Sequence, residues 1–177
     1  MPDPESSYDI AVIVDKPCWK APASQWETLI QPVVLETLRQ SLWKSSAEIN
    51  ILLSDNVAVH ELNKKFRGID KPTNVLSFPS LEADEISSYR KEKTKDTIIL
   101  GDIVLAFETL QQESLEQNIL FEHHVKHLIV HGVLHLLGYD HQKEEDAINM
   151  ESLEVSILST LNIPNPYKEH DKYHDHD

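Results

Sequence analysis

The chain has 177 residues, enough to bury a core of its own and within the usual span of one domain. Hydrophobic residues at 40% and charged residues at 26% are ordinary for a globular protein and exclude a disordered or fibrous chain. The formal net charge of −14 excludes coating of nucleic acid through a general positive field, so any such contact must be local.

The opening Met-Pro-Asp-Pro-Glu has neither the basic start nor the apolar stretch of a secretory signal. No apolar run approaches the roughly 18 to 20 residues of a membrane span. The expectation is a cytoplasmic protein with no membrane partner. Cys18 is the single cysteine, which rules out an internal disulfide and suits a reducing compartment. Packing or surface placement is its expected role.

Tyr8 to Val14 (YDIAVIV) is rich in β-branched and aromatic residues and is closed by Pro17, which predicts a first strand. Ser24 with Glu27 reads as a capping box, and Trp26, Leu29, Ile30, Val33, Val34 and Leu38 follow at helical spacing. Pro32 is expected to kink or divide that helix. Ala47, Ile49, Ile51 and Leu53 alternate with polar residues as in a strand with one buried face. Asp55 then caps a short helix carrying Val59, Leu62 and Phe66 inward, which Gly68 and Pro72 end.

A brief strand is predicted at Val75 to Phe78. Residues 79–97 are mixed in charge and weakly apolar, and read as an exposed excursion without defined order. Ile98 to Ala106 is the most strand-like stretch, and Glu108 to Asn118 reads as the next helix. Two strong helices follow, roughly His123 to Leu137 and Glu144 to Leu161, joined by Gly138-Tyr139-Asp140-His141. One domain over residues 1–164 is expected, with 165–177 a frayed His- and Asp-rich tail.

His131 and His135 stand four apart within HGVLHLLG, so a helix places both imidazoles on one face as a chelating pair. Such a pair alone is weak evidence in a chain with ten histidines, and His123 with His127 repeats the spacing. The continuation carries more weight. Gly138 can take the left-handed conformation that ends a helix, and His141 then returns toward the pair. Three neutral nitrogens leave a fourth position open for water, which is the pattern of catalytic rather than structural zinc.

His127 extends the same stripe, because steps of four residues drift by only about 40°. It and Glu154 are candidates to support the ligands from behind, while His123 and His124 read as ordinary histidines. Compared with the H-E-x-x-H motif of zinc proteases, Gly132 stands where the general-base glutamate should be. Asp140, beside the third ligand, and Glu154 are candidates for proton handling or orientation. The segment Lys64 to Lys71 (KKFRGIDK) sets four cations against one carboxylate.

Taken together, HGVLHLLGYDH, FRGIDKPTNVLSFP, LGDIV and the NMESLE run closely resemble the YbeY endoribonucleases, over about Leu62 to Leu161. The resemblance implies an α+β fold, a small mixed four-stranded sheet flanked by helices, with a zincin-like metal helix. It implies one divalent metal ion, zinc, held by His131, His135 and His141. It also implies cleavage of single-stranded RNA in small-subunit ribosomal RNA maturation and ribosome quality control. Small-subunit ribosomal proteins are the candidate protein partners, and no DNA is expected.

Arg67 carries over as the substrate-facing cation, and its forked donors suit a phosphodiester better than a lysine would. Arg67, His131 and Asp140 are thus the expected catalytic residues. Lys65, Arg67, Lys71, Asn74 and Ser77 are expected along the substrate. Attack by water or by the 2′-hydroxyl both stay open. So do two other readings: a metallohydrolase of another substrate class, and a non-enzymatic assembly factor with a structural metal.

Overall fold

The computed structural model describes residues 6–167. Strand β1 (Tyr8–Val14) turns Ile10 and Val12 inward and pairs in parallel with β2 (Ala47–Ser54), Ile10 beside Ile49 and Val12 beside Ile51. Strand β2 pairs in parallel with β4 (Ile98–Ala106), and β3 (Val75–Pro79) runs antiparallel along the other side of β4. The order β1-β2-β4-β3 is a four-stranded mixed sheet, as expected.

Alternation along β4 decides what packs where, because successive side chains of a strand point to opposite faces. Ile103 and Leu105 join the main core together with residues of α1 (Ala23–Gln40) and α5 (Phe121–Leu136). Val104 and Ala106 face the other way and meet Val59 of α2 (Asn56–Arg67) and Leu76. Ile30, Leu38, Ile51, Leu105 and Ile129 are fully buried, and each such burial contributes about 1.5–3 kcal/mol before chain entropy is counted. Helix α4 (Phe107–Gln117) follows β4 and packs on α5, and α6 (Glu144–Thr160) packs on α5 and α1. Trp19 anchors one end of the core against Trp26, Phe107 and Phe121, with half-buried Cys18 beside it.

Four local expectations are corrected. Helix α1 starts after Pro22, so Ser24 and Glu27 are its second and fifth residues and form no capping box. There the Ser24 carbonyl accepts from Thr28, and the Glu27 carboxylate accepts from Gln31. Pro32 does not divide the helix. Pro32 and Thr28 are both exposed, so water can serve the carbonyl that loses its partner.

Phe66 is not inward but 60% exposed, because α2 buries itself through Val59 and Leu62 and ends one turn later. Residues 79–97 are ordered in large part by α3 (Ala83–Lys91), where Ile86 is buried and Tyr89 meets Trp43 edge-on. Arg90 lies over the Tyr139 ring and donates to the Leu137 carbonyl. The helical spacing of Ile86 and Tyr89 is the signal that its charged surroundings obscured.

Candidate metal centre

Helix α5 is buried along Val125, Ile129, Val133 and Leu136, while His127, His131 and His135 form a half-buried stripe on another side. The helix lies close to the sheet at Gly132. A β-carbon there would sit 3.1 Å from two atoms of Ile103 and 3.2 Å from Ser77 Oγ. A glutamate at this position would therefore point into the sheet, and the missing protease base follows from that packing.

The helix ends in a Schellman motif, in which Tyr139 N–H donates to Leu134 O and Gly138 N–H to His135 O, with Gly138 at φ +90°. That turn brings the Tyr139 carbonyl back to 3.0 Å from His135 Nδ1, which donates to it. Asp140 Oδ1 then accepts from the backbone N–H groups of His141 and Gln142, at 2.7 and 3.2 Å. These bonds shape the loop that returns His141. Its ring centroid lies 5.5 Å from that of His131 and 5.0 Å from that of His135.

His131 is fixed from the opposite side. Its Nδ1 lies 2.6 Å from Oε1 of Glu154, a fully buried carboxylate on α6. With each Nδ1–H committed to an outer acceptor, the two Nε2 lone pairs point inward, where they stand 2.9 Å apart. His131, His135 and His141 each offer one nitrogen, all within 4.8 Å of one another. Two nitrogens about 2.0–2.1 Å from a shared tetrahedral ion would stand ~3.3 Å apart, so the donor set fits a divalent metal of the zinc type.

Electrostatics agree with a site prepared for a cation. Burial and the neighbouring His131 and His141 lower the His135 pKa to about 4, leaving a neutral ring available as a ligand. Burial alone would raise the Glu154 carboxyl, but the nearby His127 imidazole, 3.6 Å away, and the hydrogen bond and charge from His131 outweigh it and bring it to about 2. His127 Nε2 donates to the Tyr167 hydroxyl at 3.2 Å, and that hydroxyl donates to Glu154 Oε2 at 2.6 Å. Burial and Glu154 together push the Tyr167 phenol far up.

Tyr167 was missed in the sequence, since it belongs to the stretch read as tail. The rest of that tail, including His170, His174 and His176, lies outside the described residues. His124 is the ordinary histidine expected: it is buried and donates from Nε2 to Glu113 at 2.9 Å.

The residues expected along the substrate divide into two groups. Lys65, Arg67 and Lys71 are exposed. Arg67 Nη2 donates to the Ser77 carbonyl at 2.8 Å, which uses one of five donors and leaves the others directed elsewhere. Asn74 and Ser77 instead have internal partners. Asn74 Nδ2 donates to Glu113, and the buried Ser77 Oγ donates to the Gly132 carbonyl at 3.1 Å. They tie β3 and the residue before it to α4 and α5.

A protein-family model described as Endoribonuclease YbeY matches residues 14–162. The chain belongs to the YbeY endoribonuclease family. Among curated YbeY endoribonucleases, that of Zymomonas mobilis is 46% identical over 154 residues, covering 84% of this chain and 87% of the relative. That of Rhodopseudomonas palustris strain BisB18 is 39% identical over 164 residues, covering 93% and 94%. A Thermotoga maritima protein of known solution structure matches 86% of the chain and 91% of its own, with a TM-score of 0.53 and 23% identity. That last likeness supports the α+β fold. The family match spans all four strands except most of β1, and it includes every histidine of the centre.

Proposed function

We propose that His131, His135 and His141 hold one zinc ion and that this member of the YbeY family cuts single-stranded RNA there. The setting is small-subunit ribosomal RNA maturation and ribosome quality control. One observation carries the reading: two imidazoles, each with its Nδ1 committed elsewhere, direct Nε2 lone pairs at each other across 2.9 Å. Neutral rings would repel at that separation, and a shared cation removes the conflict. When bound, such an ion supplies Lewis acidity and lowers the pKa of a water at that place from ~15.7 toward ~7.

The protein's own residues do the rest. Glu154 holds the His131 ring in orientation and keeps its proton on Nδ1. Tyr167 and His127 fasten that carboxylate in turn. Asp140 shapes the loop carrying His141, so its part is orientation. Arg67 neutralises the scissile phosphate with its remaining donors, and Lys65 and Lys71 guide the strand.

These cations give an acidic chain the local positive ground that RNA requires. No helix among the described residues is long and apolar enough to cross a membrane. We place the enzyme in the cytoplasm, as one domain acting with small-subunit ribosomal proteins and without DNA.

The test combines metal analysis of the purified protein with cleavage of single-stranded RNA by wild type and His131→Ala. One bound ion, and its loss together with cleavage in the variant, is the expected result. Cleavage that persists in a metal-free variant would refute the reading. End-group analysis of the products separates attack by water, which leaves no cyclic phosphate, from attack by the 2′-hydroxyl.

A further inference from the structure

Helix α2 ends on Lys64-Lys65-Phe66-Arg67, and this last turn holds a large aromatic ring in water, with Phe66 60% exposed. Its ring meets Phe78 edge-on at 5.6 Å and 71°. Lys65 Nζ lies 5.3 Å from the Phe66 centroid, and the Arg67 guanidinium lies 6.0 Å from the Phe78 centroid. Among the described residues, none of Lys64, Lys65, Arg67 and Lys71 forms a salt bridge. Asp70, the one carboxylate within Lys64 to Lys71, is already paired with His60 at 2.7 Å.

Helix α2 is anchored through Val59 and Leu62, and packing leaves most of the Phe66 ring in water. Arg67 links this turn to the helix of the histidine cluster. Arg67 donates to the Ser77 carbonyl, and Ser77 Oγ donates to the carbonyl of Gly132, the residue after His131. A largely exposed aromatic ring among cations free of salt bridges suits one ligand chemistry in particular, a nucleic-acid strand with an unpaired base and phosphates on either side. A duplex conceals its base faces, so only a single strand can use such a surface.

We propose that Phe66 is a base-stacking platform that holds one unpaired RNA base while Lys65 and Lys71 meet the flanking phosphates. This rests on the RNA reading of the metal centre. Phe66 thereby helps the site choose single strands, and because every base has a π-face, it adds affinity with little sequence preference.

The test measures binding of an end-labelled 2′-O-methyl oligoadenylate and of a duplex of equal length to the metal-loaded protein, with probe integrity checked on a gel. Phe66→Ala is expected to weaken single-strand binding by about 10-fold while leaving duplex binding alone. Phe66→Tyr, which keeps the ring, should stay within about 2-fold of wild type. The thermal midpoint and metal content of each variant confirm an intact fold.

Unchanged single-strand binding in Phe66→Ala overturns the platform. So does wild-type binding by Phe66→Leu, or an equal loss for the duplex. If Phe66→Ala binds normally while His131→Ala has lost cleavage, the platform alone fails. Cleavage that outlasts the metal refutes the enzymatic reading, whatever Phe66 does.

Discussion

His131 and Glu154 stand 23 residues apart in sequence, on different helices, and meet through a 2.6 Å hydrogen bond between Nδ1 and Oε1. The carboxylate is fully buried and accepts from His131 and Tyr167, with the His127 ring 3.6 Å away. The pair decides which nitrogen of His131 faces the centre, and so fixes the orientation a metal ligand would need.

Glu154→Gln should therefore weaken metal binding. The amide still offers an acceptor but loses the charge that makes the imidazole a stronger donor to a cation. A decrease of roughly 10- to 100-fold in metal affinity is expected, read by competition with a chromogenic chelator. An affinity equal to wild type would show that the bond does not orient the ring.

Gly132→Ala should destabilise the fold by about 1–3 kcal/mol, because the added methyl meets Ile103 and Ser77 Oγ at 3.1–3.2 Å in a packed layer. The thermal midpoint of the metal-free protein measures this. Adding Ile103→Val removes one of the opposing methyl groups and should restore part of the loss. A midpoint unchanged by Gly132→Ala would mean that α5 shifts off the sheet without penalty.

Acid should destabilise the metal-free protein in two stages. Unfolded His135 takes up a proton near 6.5 while the folded ring resists until about 4, so stability falls as pH drops through that interval. Glu154 contributes stability that is complete above 4.5 and is lost as pH falls toward 2. The His135 share is at most ~3 kcal/mol. Thermal midpoints measured from pH 7 to pH 3 test this, and Glu154→Gln should flatten only the lower part. A midpoint rising below pH 6.5 would contradict the assignment.

Arg67→Ala should leave metal content intact and lower RNA cleavage on the order of 100-fold, the usual effect of removing one donor from a developing oxyanion. Salt dependence of binding should decrease by about one phosphate contact as well. Full cleavage by this variant would move the phosphate-holding role elsewhere.

Much of the architecture was legible in the residues, because strand and helix periods are local properties of a chain. Tyr8–Val14 and Ile98–Ala106 are strands over the predicted spans, and Asp55 accepts from the Ala58 N–H at the start of α2 as a cap should. The H-x₃-H-x₅-H spacing with Gly138 at the turn pointed to three converging imidazoles. A helix step and a left-handed turn are both short-range geometry.

Helix α3 was obscured because its stability comes from Ile86, Tyr89 and Arg90 reaching partners distant in sequence. The spacing of Phe66 with Val59 and Leu62 points inward, yet where α2 ends it meets Phe78 only edge-on and stays 60% exposed. Spacing assigns a face to a residue, but not what lies opposite that face.

The sequence by itself determined the histidine spacing and the strand and helix order, since each depends on neighbours within a few residues. Only the tertiary structure decided that Glu154 and Tyr167 stand behind His131 and that the Ser77 hydroxyl donates to the Gly132 carbonyl of α5. It alone also showed that a β-carbon at Gly132 would crowd Ile103 and Ser77 Oγ. Those outcomes depend on which elements pack together, and the close packing of a core is fixed by shape and volume across the whole chain.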